Sequence, residues 1–161
     1  MDRRIAAGSR TGAMEARRTL SRRTLAAATA GLIYAALLLA YVLDVTNNEA
    51  GKGDVKGWVI VSTVASVIAA VLLLRLAPAS ESNRDGSNKP ARQALILAVL
   101  SVITFVVFWT GLPFAFGVPA LALASTGRAR APQEGRGGEA TAATVLAVLA
   151  IVAALALCVA G

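Results

Sequence analysis

The chain has 161 residues, 57% of them apolar, with no histidine, one cysteine and a formal charge of +7. That length fits one domain, and the positive mean hydropathy places it outside the ordinary soluble class. A lone Cys158 excludes an internal disulfide and any cysteine-based metal site, and the missing histidine removes the commonest general base and transition-metal ligand.

The apolar residues are gathered in long blocks, the pattern of membrane spans rather than of amphipathic core helices. Seven of the sixteen basic residues precede the first block, and most of the others sit in two short loops. That clustering is the positive-inside bias of a multi-pass protein, and no aromatic residue is interleaved with the basic ones, so nucleic acid is not expected as a partner. Thirteen arginines against three lysines, with abundant alanine, glycine and valine, resemble the coding bias of a GC-rich bacterium.

Residues 1–24 form a basic arm too poor in apolar surface to fold alone, expected to be disordered on the cytoplasmic side. Met14 offers a second start that leaves the spans unchanged. The arginine pair Arg22-Arg23 before an apolar run resembles a twin-arginine export signal. No small-residue cleavage site follows, so the run 25–43 is expected to stay as the first span of a transmembrane domain covering 25–161. The short segment after it carries Asp44, Glu49 and Asp54 but no arginine, which suits the outer side. Its acids match no calcium-loop spacing and are expected to be solvated.

A second span is expected over 57–74, closed by Arg75, which can snorkel back to the interface. The polar run from Ala77 to Ala91 then reads as a solvated cytoplasmic linker. Tyr41, Trp58 and Trp109 fall at one proposed outer interface, the depth amphipathic rings prefer, and agree with a cytoplasmic N-terminus.

The stretch from Arg92 to Thr126 is too long for one straight crossing, since about 50 Å of helix would meet about 30 Å of hydrocarbon. Its breakers Gly111, Pro113, Gly117 and Pro119 predict a turn, giving a leg 92–110 and a return leg 112–127. Arg128, Arg130 and Arg136 in the loop from Gly127 to Gly138 belong inside by the same charge rule, which favours this hairpin. The alternative is one crossing by 92–112, with Phe114 to Thr126 lying in the outer interface or dipping in as a re-entrant segment. A last span is expected over 141–159, which gives four or five crossings in all.

Leu112-Pro113-Phe114, then Gly117-Val118-Pro119-Ala120-Leu121, the Arg128 to Gly138 loop and a small-residue final span together resemble a group of small bacterial multi-pass membrane domains of unknown function. The resemblance covers the second half of the chain, under half its length, and the final span has alanine where that pattern carries glycine. It implies no activity, cofactor or catalytic residue.

Small residues at four-residue spacing let helices approach closely in lipid. Ala27, Gly31 and Ala35 form one such stripe, Ser62, Ser66 and Ala70 a second, and Ala143 with Ala147 a third. They are candidates for packing within the chain, with a membrane-protein partner, or in a homo-oligomer. No Asp, Glu, Lys or Arg lies deep in a span, which speaks against a self-sufficient proton-coupled carrier. Hydroxyls such as Ser62, Thr63, Ser66, Ser101 and Thr104 have no base beside them, so no catalytic residue, metal ligand or cofactor site is expected. The sequence thus predicts an all-α polytopic helical bundle in a bacterial inner membrane, of accessory or interaction type. The rival is a subunit of a transporter or channel assembly. Ser62, Ser66, Ser101 and Thr104 discriminate the two, since only a pathway protein needs them along one cavity.

Overall fold

Helix is the only regular structure among the described residues of the computed structural model, which describes residues 21–39, 42, 55–82 and 86–160. The basic arm up to residue 20, Tyr41, and the acidic segment with Asp44, Glu49 and Asp54 lie outside them. So do the side chains of Trp58 and Trp109 and with them the aromatic test of orientation.

Helix α1 covers Ser21–Leu39. It begins inside the arm expected to end at residue 24, because arginine is a good helix former and Arg22 has an acid to meet across the bundle. Helix α2, Val55–Val71, passes through a wider turn at Leu72–Leu76 into α3, Ala77–Ser82. In that turn the Ala77 amide reaches back five residues to the Leu72 carbonyl. The linker expected from Ala77 is therefore helical as far as Ser82. Pro78 signals a break, yet the helix runs through it to Ser82, because the wider turn just before it has already shifted the main-chain bonding that its missing N–H would interrupt.

Helix α4, Lys89–Ile103, tightens into a narrower turn over Thr104–Thr110, where Val107 leaves helical geometry at φ −116° and ψ 44°. Gly111 then reverses the chain at φ 71°, and α5 runs from Leu112 to Glu134. The loop expected from Gly127 is thus helical for most of its length. Alanine and arginine favour helix there, and Pro132 forfeits one main-chain bond near the helix end. Gly135 at φ 74° stops α5, and α6 covers Gly137–Ala160.

The turn at Gly111 produces a hairpin. Ser101 of α4 donates to the Pro113 carbonyl at 2.8 Å near the turn, and at the far end Gly127 lies against the Ala91 backbone. The return leg thus lies along α4 and not off to one side. Helix α6 starts at that far end and runs beside α4, so Gly117 sits between Ser101 and Ile151. Helices α1 and α2 form a second antiparallel pair, joined by Tyr34 and Thr63 at 2.6 Å. Thr63 donates to the Val59 carbonyl at 2.7 Å, so it accepts the Tyr34 hydroxyl proton.

The interior is built of small residues. Among the described residues, sixteen of the twenty-three buried apolar ones are alanine, whereas the exposed large side chains are valine, leucine and isoleucine with one tyrosine, none of them from α5. That is the arrangement of a bundle whose solvent is lipid, where close backbone packing replaces the hydrophobic drive. Four of the described helices, Ser21–Leu39, Val59–Ser82, Lys89–Val107 and Gly137–Cys158, are long and apolar enough to cross a membrane. Helix α5 falls outside that set by composition, since prolines, glycines, hydroxyl residues and Arg128 and Arg130 interrupt its apolar run. Phe114 at its start is wholly buried and packs with Ile33, Ala65 and Cys158 from the other helices.

Candidate functional site

The two ends of the bundle differ in chemistry. The end holding the start of α1, the end of α3, the start of α4, the end of α5 and the start of α6 carries the described charged side chains. Seven are basic and three acidic, all the described ones but Arg75, which lies in the wider turn before α3.

Glu81 ties three helices there. Its carboxylate pairs with the Arg22 guanidinium from α1 and accepts from Thr126 Oγ1 of α5 at 3.3 Å. Its main-chain carbonyl accepts from Arg130, which also faces Glu134 at 3.9 Å. Both charged ends of the Arg22–Glu81 pair are largely shielded, at 23% and 22% exposed, so the pair exceeds the value of a free surface salt bridge, roughly 1 kcal/mol. Glu139 at the start of α6 faces Arg136 at 3.5 Å. All three described acids are therefore engaged, and the surplus charge at this end is positive.

Asn88 is the second tie. It is 1% exposed and left-handed at φ 42°, a conformation asparagine tolerates better than most residues. Its carbonyl accepts from the Ala91 amide at 3.1 Å as α4 begins. Its Nδ2 donates to the Gly127 carbonyl at 3.0 Å and the Gly135 carbonyl at 2.7 Å. One side chain thus fixes the start of α4 to the end of α5 and to the link into α6.

At the opposite end, of the four residues expected to make the turn, Gly111 reverses the chain and Pro113 follows in the first turn of α5, whereas Gly117 and Pro119 lie inside that helix. A side chain on Gly111 would meet Ile33 at 2.9 Å and Leu37 at 3.1 Å, so the turn is seated against α1. Pro113, Gly117 and Pro119 are all buried. Gly117 lets α6 close on α4, since a Cβ there would lie 2.9 Å from Ile151 and 3.1 Å from Ser101.

The three small-residue stripes separate. Ala27, Gly31 and Ala35 all face outward, and none of the described residues places a neighbouring atom within 4 Å of where a Gly31 side chain would begin. Packing of α1 within the chain falls to Ala26, Thr29, Ile33 and Ala36 instead. Ser62 is buried, while Ser66 and Ala70 are half-buried at the edge of the contact that Ala65 and Ala69 make. Ala143 and Ala147 are fully buried against α4 and α5.

The hydroxyls do not form one polar line. Ser101 bonds to α5, and Thr104 donates to the Leu100 carbonyl of its own helix at 2.8 Å. Among the described residues, Ser62 and Ser66 have no hydrogen-bond partner, and no three potential metal ligands gather. What the charged end can do chemically is attract anions.

Sequence reasoning passed over Glu81 and Asn88. Asn88 was legible, because asparagine two residues before a proline is a helix-start signal. Glu81 was not, since its partners are 45 to 59 residues away. Compared with known protein families, curated proteins and solved structures, the chain gives no match.

Proposed function

We propose that this is a non-enzymatic accessory or interaction protein of a bacterial inner membrane, crossing it five times with the cationic end in the cytoplasm. The observation that carries the reading is the outward stripe Ala27, Gly31 and Ala35. In a bundle whose other small residues are mostly used inside, α1 turns a run of them away from its own chain. A surface of that kind suits close approach by another transmembrane helix, from a second copy or a different protein.

The orientation rests on the surplus of basic side chains at the end shared by Arg22, Lys89 and Arg130. The rival, a subunit of a transporter or channel assembly, draws on the unpartnered hydroxyls of Ser62 and Ser66. It is the weaker reading, because Ser101 and Thr104 are bonded elsewhere.

A photoreactive residue placed at Gly31 and activated in living cells tests the interaction. A discrete protein adduct is expected, with a control at exposed Val148 of α6 giving none. Adducts to lipid alone from Gly31 would sink the proposal.

A further inference from the structure

The wider turn at Leu72–Leu76 holds a charge that the bundle does not use. Arg75 lies inside the apolar span Val59–Ser82, six residues before Glu81, which puts it about 9 Å along the helix from the polar end. Leu73, two residues earlier, is 1% exposed and faces the core. Two residues turn a helix by about half a revolution, so Arg75 points directly away from α1, α4 and α5. It is exposed, and it makes no hydrogen bond or ion pair among the described residues. Nor is a described acid left over for it, since Glu81, Glu134 and Glu139 face Arg22, Arg130 and Arg136.

The backbone keeps it in that direction. Ala65, Ala69, Leu73 and Ala77 are buried at steps of four, a spacing that would drift off the contact face in a regular helix of 3.6 residues per turn. The wider turn absorbs the drift, and the side opposite the contact stays opposite through Arg75. Pro78, which has no N–H, leaves a carbonyl of this turn without its usual main-chain donor and holds the distortion in place.

We infer that Arg75 binds the phosphate of an anionic phospholipid in the leaflet at the cationic end. A guanidinium on a long apolar stem reaches from that depth to the level of the lipid phosphates, and its planar fork matches two phosphate oxygens. The net negative charge of the lipid matters because the surrounding end of the protein is already positive, with exposed Arg23 and Arg92 also lacking an acid among the described residues.

This inference rests on the reading that the bundle spans a bilayer, and failure of that reading has its own signature, release of the protein from membranes by alkaline carbonate. The test uses the full chain in nanodiscs of equal parts phosphatidylglycerol and phosphatidylcholine, followed by native mass spectrometry of the lipids retained. Wild type should keep phosphatidylglycerol over phosphatidylcholine by about tenfold, because both offer phosphate oxygens but the choline ammonium of the second already offsets the charge that the guanidinium would pair with. Arg75→Gln should lose most of that preference, Arg75→Lys should keep part of it, and Arg92→Gln should leave it nearly intact. Equal retention of the two lipids by wild type overturns the proposal. So does an equal loss in Arg75→Gln and Arg92→Gln, which would show only general charge attraction. Inorganic phosphate at millimolar concentration should not displace the retained lipid, and displacement would mean a free-phosphate site instead.

Discussion

Gly127 and Gly31 are the same residue under opposite constraints. A Cβ on Gly127 would lie 2.8 Å from both the Ala91 Cα and its amide nitrogen, and backbone atoms cannot swing aside. Gly127→Ala must therefore push α5 off α4, at a cost of about 1–3 kcal/mol. At Gly31 no neighbouring atom of the described residues stands within 4 Å, and Gly31→Ala gains up to about 1 kcal/mol of helix propensity. Thermal unfolding of the two variants in detergent should show Tm falling for the first and holding or rising for the second. Equal shifts would contradict the packing at Ala91. Spacing alone put Ala27, Gly31 and Ala35 on a level with Ala143 and Ala147, because four-residue spacing says that a face is small and not which way it turns. The turn glycine Gly111 was easier to read, since Pro113 two residues on leaves the chain few ways to continue.

Elements here end where a polar side chain closes them. Three helix ends converge on Asn88, whose Nδ2 satisfies the Gly127 and Gly135 carbonyls. Asn88→Ala removes two bonds and leaves a Cβ residue in a left-handed conformation, together about 2–3 kcal/mol. Asn88→Gly relieves the backbone and loses only the bonds, so its penalty should be smaller. Limited proteolysis offers the check: cutting at the α5–α6 link around Gly135 should speed up most in the alanine variant. Element boundaries were the least legible level of the sequence. Pro78 and Pro132 both resist helix, yet the chain is helical through each, Pro78 just after the wider turn and Pro132 in the last turn of α5. Composition identifies the residue that resists helix. It does not say whether the bond it withholds is needed at that position.

For the whole molecule the hairpin decides which ends share a side. Its return leg carries Arg130 back to Glu81, so the end of α5 and the start of α1 lie at one end of the bundle. Reporter fusions should then read cytoplasmic after Arg130 and periplasmic after Gly161. A periplasmic signal after Arg130 would mean that α5 does not cross. The excess length from Arg92 to Thr126 and the basic loop after it made this hairpin legible from the order of residues alone. What the sequence concealed was how central α5 is, its start packing with α1 and α2 through Phe114 and Ala115 and its middle with α4 and α6 through Ala120, Leu123 and Ala124.

That position bears on how the chain is made. None of the large apolar side chains of α5 is fully exposed, so the helix gains less than its neighbours from meeting lipid alone. It is expected to pair with α4, made before it, as it enters the bilayer, and to keep an open flank until α6 follows. In the described bundle Ala143 and Ala147 of α6 then close against that flank.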